Sequence, residues 1–110
     1  MSHNNEGIKD LTTANFDQVM SENKVVLVDF WADWCMPCRI QGKMIEGNME
    51  RIPQEVLVGK VNVDQHPSIA RRFNVRGIPQ MYLIVKGEPK KGWTGVTPMD
   101  ELISEMKRYL

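Results

Sequence analysis

An α/β layer fold with a mixed sheet is predicted, and three observations predict it. Segments of strand and helix character follow one another in the order β-α-β-α-β-α-β-β-α. The strand segment beginning at Val25 is apolar on both faces up to Asp29, as strands covered on both sides are, and the segment beginning at Val56 reads as a second buried strand. The chain has 110 residues, 42% hydrophobic and 25% charged, which suits one compact domain that buries its own core without metals or several disulfides.

The elements follow in order. Gly7–Lys9 is expected as a short first strand, with residues 1–6 as a flexible tail. A helix is expected over Thr13–Met20, where Phe16, Val19 and Met20 fall at i, i+3 and i+4. Val25-Val26-Leu27-Val28-Asp29-Phe30 reads as a buried strand. A long helix is then expected from about Met36 to Ile52, with Ile40, Met44, Ile45, Met49 and Ile52 on one broad apolar side and Pro53 ending it. Gly42 and Gly47 weaken it by roughly 1 kcal/mol each relative to alanine. Val56–Val63 is the next strand and Pro67–Phe73 a short helix, with Asn74 suited to its C-terminal cap. Gln80–Val85 is a strand, Lys86-Gly87-Glu88-Pro89 a turn, and Lys90–Thr94 a more polar edge strand. Thr97-Pro98-Met99-Asp100 has the marks of a helix start: a threonine cap, a proline in the first turn and an acid near the positive end. That last helix carries Met99, Leu102, Ile103, Met106 and Tyr109 on one face.

Basic and acidic residues both number 14, so the formal net charge is zero. Nucleic-acid and anionic-membrane binders usually show a basic excess, and neither kind of partner is expected. The first ten residues, MSHNNEGIKD, lack the apolar stretch of a secretory signal. No window approaches the roughly 18 apolar residues of a membrane span. A cytoplasmic protein is expected.

The two cysteines, Cys35 and Cys38, stand three apart. In a reducing compartment such a pair indicates redox chemistry or metal binding rather than a structural staple. Closing a loop of about four residues removes roughly 2 kcal/mol of unfolded-state entropy, against about 4.7 for a 100-residue loop. A structural zinc site wants four ligands, and His66 adds one at most; iron–sulfur clusters fail on the same count. A structural disulfide, half a zinc site and two unrelated buried cysteines are the competing readings.

The segment Trp31-Ala32-Asp33-Trp34-Cys35-Met36-Pro37-Cys38-Arg39 follows the first buried strand and opens a helix, at the strand end where α/β sheets gather their sites. Orphan N–H groups and the positive end of the dipole stabilise a thiolate there, and the thiolate is the attacking species. Residues i and i+3 of a helix lie roughly 5 Å apart at Cα, within the span of a disulfide. Pro37 falls in the first turn, where its missing N–H costs little. Cys35, nearest the helix start and the exposed side, is the expected nucleophile, and Cys38 the resolving thiol.

At this point the sequence resembles the thioredoxin family, from about Gly7 to Leu110. The resemblance rests on Val28-Asp29-Phe30-Trp31-Ala32 leading into Trp34-Cys35, on Pro37-Cys38, on Lys60-Val61-Asn62-Val63-Asp64, on Arg76-Gly77-Ile78-Pro79 and on Gly95. It implies the thioredoxin fold, a central mixed sheet flanked by helices on both faces. It implies that Asp29 is a buried carboxylate beneath the resolving cysteine, with a raised pKa suited to carrying the Cys38 proton, and that Lys60 is its partner. The alternatives are an aspartate tying down the next loop and a solvated lysine. Pro79 matches a cis-proline facing the disulfide, which with Ile78 would pair with an extended substrate segment; a trans proline at a strand start is the alternative. Trp34 would form an exposed rim over Cys35 and Trp31 would pack beneath the loop, against simple core packing for both. Gly77 and Gly95 would leave room for the substrate chain, or be ordinary turn glycines.

Four departures from the family pattern stand out. Met36 occupies a position that is commonly glycine, and the residues between the cysteines influence the redox potential. Its flexible apolar side chain also bears on partner choice, so Met36 and Pro37 join the expected contact surface. Arg39 replaces a usual lysine, Lys43 stands where a helix-kinking proline is common, and the turn at Gly87-Glu88 is one residue shorter.

The function expected is an enzymatic one: reduction of protein disulfides by the Cys35/Cys38 dithiol. The resemblance implies protein substrates and a separate thioredoxin-reductase-type donor; no bound cofactor is expected, as no glycine-rich nucleotide loop appears, no metal is expected on the ligand count above, and a monomer is expected. A redox-switched binding module using the same surface, or a more oxidising exchanger, is the alternative.

Overall fold

A computed structural model describes residues 7–110; the expected tail over residues 1–6 lies outside them. The elements are β1 (Lys9–Asp10), α1 (Phe16–Glu22), β2 (Val25–Trp31), α2 (Met36–Gly47), a 3₁₀ turn (Met49–Arg51), β3 (Val56–Asn62), α3 (Pro67–Arg72), β4 (Gln80–Val85), β5 (Glu88–Thr94) and α4 (Met99–Lys107). One sheet has the order β1-β3-β2-β4-β5. β1 and β2 run parallel to β3, whereas β4 is antiparallel to both β2 and β5.

Strand alternation sorts the core into two layers. Val25 and Leu27 face α2 and α4, joining Ile45, Val58, Leu83, Leu102 and Met106. Val26, Val28 and Phe30 face α1 and α3, joining Phe16, Val19 and Ile69. The second layer is aromatic: Phe73 stacks edge-on to Phe16 at 5.5 Å between centroids, and the Tyr82 hydroxyl donates to Phe73 O at 3.0 Å. By the same parity Asp29 and Trp31 belong on the side of β2 covered by α2, the helix that carries both cysteines.

Several boundaries differ from the sequence reading, each for a local reason. The first strand is only Lys9–Asp10, held by pairing to Gly59 and Lys60. The buried Leu11 side chain, just beyond this strand, fills the space that glycine leaves at position 59, where a Cβ would stand 2.5 Å from Leu11 Cδ1. The long helix ends at Gly47 rather than Ile52, since the Asn48 side chain donates to Met44 O and turns the backbone. Ile40, expected inside, is 51% exposed, and the buried positions of α2 are Cys38, Gln41 and Ile45. Asn74 does sit at the end of α3 with φ 56°, and the bonds Val75 N to Ala70 O and Asn74 N to Arg71 O close a Schellman motif. The β4–β5 turn is two residues, Lys86 and Gly87, both at positive φ, so β5 begins at Glu88. Thr97 does not cap α4; Pro98 is the capping residue, and the Thr97 hydroxyl donates to Gly95 O.

Candidate active site

The site forms where β2 ends and α2 begins. Ala32, Cys35 and Cys38 make a small buried cluster with Trp31, Val63 and Ile78 packed against it. Cys35 and Cys38 are joined by a disulfide with their Cα atoms 5.2 Å apart, so this is the oxidised form. Both are nearly buried, at 4% and 3% exposed, and exposure therefore does not separate them as expected. Capping does. Cys35 is the N-cap of α2, and its Sγ accepts the Cys38 N–H at 3.2 Å. A thiolate at that atom receives a backbone hydrogen bond and faces the positive end of the helix. Pro37 lies in the first turn, where no donor is lost.

Opposite the disulfide, the Ile78–Pro79 peptide bond is cis. Ile78 O lies 3.8 Å from Cys35 Sγ. A disulfide sulfur has no proton to donate, so this is a packing contact here and becomes a hydrogen bond only for a protonated Cys35. Gly95 N donates to Pro79 O at 2.8 Å, which brings the loop between β5 and α4 against the same strand end. Gly95 has φ +90° and open space in its Cβ direction, whereas a Cβ at Gly77 would meet Thr94 Cγ2 at 3.5 Å, an ordinary contact. Trp34 (70% exposed) and Met36 (63%) form the outer rim. The Trp34 indole is held by donating Nε1–H to Asp64 Oδ2 at 2.9 Å, an anchor that sequence reasoning left without a role.

Beneath α2, Asp29 is 5% exposed and its Oδ1 is buried without a hydrogen-bond partner. Burial pushes its carboxyl up from 3.8 to about 7, and the Lys60 charge partly offsets that rise. Lys60 stands opposite Asp29 in the β2–β3 register, with Nζ 4.0 Å from Asp10 Oδ1 and 5.1 Å above the Trp31 ring. It thus acts on Asp29 through its field while its ion-pair contact is with Asp10. Trp31 packs against the Ala32, Cys35 and Cys38 cluster, and its Nε1 is also buried without a partner. A cleft of about 380 Å³, lined in part by Asp29, Trp31, Cys38, Lys43 and Lys60, connects the carboxyl and the inner cysteine to the surface.

Gln41 is the other residue the sequence reading passed over. It is fully buried, three residues beyond Cys38 and four before Ile45, and its amide pairs with the backbone of Thr97. The available signal was a glutamine on the buried face of a helix, which folds only if its polar atoms are paired. Among the described residues, no three His, Cys, Asp or Glu side chains are grouped to hold a metal ion. No helix among them is long and apolar enough to cross a membrane.

Comparison with known proteins agrees with this geometry. The thioredoxin family model matches residues 7–108. A thioredoxin of Alicyclobacillus acidocaldarius subsp. acidocaldarius is 40% identical over 100 residues, covering 91% of this chain and 95% of that protein. A chloroplastic M-type thioredoxin of Spinacia oleracea is 32% identical over 104 residues, covering 94% of this chain and 58% of that protein. Among solved structures, a mutant thioredoxin from Halobacterium salinarum NRC-1 superposes with a TM-score of 0.87 at 31% identity, covering 99% of this chain and 94% of that one. With a cysteine pair at the head of α2 and relatives matched over most of their length, the molecule is a thiol–disulfide oxidoreductase that reduces protein disulfides, and the chain belongs to the thioredoxin family.

Proposed function

We propose that Cys35 is the attacking cysteine and Cys38 the resolving one, the assignment being carried by the Cys38 N–H that Cys35 Sγ accepts. In the reduced chain the Cys35 thiolate attacks one sulfur of a target disulfide. A bond forms between Cys35 and that sulfur, the target's S–S bond breaks, and one target thiolate leaves. Cys38 then gives its proton to the Asp29 carboxylate, whose raised pKa of about 7 suits proton exchange near neutrality. The Cys38 thiolate attacks Cys35 Sγ, the second target thiolate leaves, and the Cys35–Cys38 disulfide remains. Lys60 keeps the Asp29 pKa from rising further, so that the carboxylate form is available at neutral pH.

The substrate lies as an extended segment against the Ile78 backbone before Pro79, in the manner of strand addition. Trp34, Met36, Pro37, Gly77 and Gly95 surround it, Gly95 supported in that role by the open space at its Cβ position and Trp34 by its exposure. The partners are disulfide-containing proteins and a separate reductase of the thioredoxin-reductase type that returns two electrons. The chain works in the cytoplasm, as a monomer, with no bound cofactor and its own disulfide as the redox centre.

Equilibration with a glutathione redox buffer tests the direction of transfer. A reductase poises near about −270 mV, and a value near about −120 mV overturns the reductase assignment in favour of an oxidant. Met36 is the residue whose exchange for glycine would show how far the intervening dipeptide moves that value.

A further inference from the structure

Gln41 makes an unusual pair of contacts for a residue in the middle of a helix. Its carboxamide reaches 56 residues along the chain: Nε2–H donates to Thr97 O at 3.2 Å, and Oε1 accepts the Thr97 N–H at 2.7 Å. Donor and acceptor are both used, which fixes the orientation of the amide and of the peptide it grips. The contacts continue from there. The Thr97 hydroxyl donates to Gly95 O at 2.9 Å, and Gly95 N donates to Pro79 O at 2.8 Å. Pro79 adjoins Ile78, whose carbonyl lies 3.8 Å from Cys35 Sγ. A chain of hydrogen bonds therefore runs from the helix bearing the cysteines, through the loop between β5 and α4, to the strand end facing the disulfide. At its outermost point Val96 is 45% exposed.

An apolar side chain at position 41 would fill the same space without the cost of burying an amide, so the polar choice needs a reason. The loop supplies one. Gly95, Val96 and Thr97 belong to neither β5 nor α4, and Gly95 is at φ +90°. A polypeptide lying against Ile78 and extending past the disulfide meets that loop. We infer that Gln41 is a positioning residue for protein substrates: it locks the Gly95–Thr97 loop beside the Ile78–Pro79 strand end, where the substrate segment lies, and so determines how tightly a polypeptide disulfide is held. This rests on the reductase reading above and adds to it a residue that touches neither substrate nor sulfur.

The test is the split between KM and kcat for insulin reduction, with dithiothreitol as the electron source. Gln41→Leu removes both hydrogen bonds, and KM is expected to rise about tenfold with kcat within about twofold. Gln41→Glu is the conservative rescue. Its neutral carboxyl can accept from Thr97 N–H and donate to Thr97 O, whereas its ionised form loses the donor. KM is therefore expected near the wild-type value at pH 5 and to climb relative to wild type as pH rises. The wild-type profile measured in parallel removes the titration of Asp29. Ile103→Val, a core truncation in α4, controls for lost stability and is expected to leave KM unchanged. If Gln41→Leu does not fold, the Gln41→Glu profile carries the test. A working wild-type chain whose KM is unmoved by both substitutions, or is moved equally by Ile103→Val, overturns the role of Gln41 alone. A wild-type chain that reduces no insulin overturns the reductase reading and this role with it.

Discussion

Cys38→Ser is expected to accumulate a covalent adduct with a disulfide-bonded protein, linked through Cys35, while Cys35→Ser accumulates none. The first step needs only the Cys35 thiolate, which keeps its backbone hydrogen bond from residue 38 in the variant because that bond comes from the main chain. The second step needs a sulfur at position 38, and serine's hydroxyl cannot replace it in thiol–disulfide exchange. Both variants should lose multiple-turnover reduction by roughly four orders of magnitude or more, to the background rate. They differ in the trapped intermediate, visible on a non-reducing gel and located by mass spectrometry. Adducts through Cys38 in Cys35→Ser, with none through Cys35 in Cys38→Ser, would reverse the two roles. Because exposure does not distinguish the two cysteines, this experiment tests helix capping as the source of their difference.

The second large effect is on stability, and its sign follows from proton linkage. Asp29 titrates near 3.8 when unfolded and at about 7 when folded, because burial disfavours its charge. Between those values the folded chain binds more protons than the unfolded one, so stability falls as pH rises through that window. Below about pH 4 the penalty is absent, and above about pH 7 it is fully present. The displacement corresponds to about 4 kcal/mol. Asp29→Asn cannot ionise, so it is expected to stabilise the oxidised protein by about 2–4 kcal/mol at pH 8.5, part of the gain being offset by the buried amide. The gain should shrink towards zero at pH 4. Urea unfolding at the two pH values measures it, and a difference that does not change with pH would contradict the assignment. The same substitution should slow disulfide reduction. Cys38 can still lose its proton through the cleft to solvent, so the slowing is expected on the order of tenfold, below the usual range for general-base removal.

These two effects oppose each other. The carboxyl that destabilises the fold above neutrality is the one we propose as acceptor of the Cys38 proton, and such trade-offs between stability and chemistry are common at active sites.

Much of this was legible in the sequence. The runs at Val25 and Val56 identified central strands because residues buried on both faces leave no polar alternation. Asp29 stood out as a carboxyl ending such a run, and Cys35, Pro37 and Cys38 carried their own helix-start signal. What was not legible depends on partners distant in sequence. Apolar periodicity places Ile40 inside and Gln41 outside because it assumes that polar side chains face water, and the structure reverses both. Gln41 is buried because Thr97, far along the chain, offers a matching donor and acceptor. Thr97 has the local marks of a helix cap, but its backbone is engaged by α2 and its hydroxyl donates to Gly95 O. The early end of α2 rests on a local bond from Asn48, but nothing in composition distinguished a capping asparagine there from one on a continuing helix.

The most direct measurement is the precipitation of insulin by dithiothreitol with and without catalytic amounts of this chain. Micromolar protein is expected to shorten the lag and raise the rate well above that of dithiothreitol alone, and Cys35→Ser is expected to abolish the difference. A rate equal to that of dithiothreitol alone would contradict the reduction of protein disulfides by the Cys35/Cys38 pair.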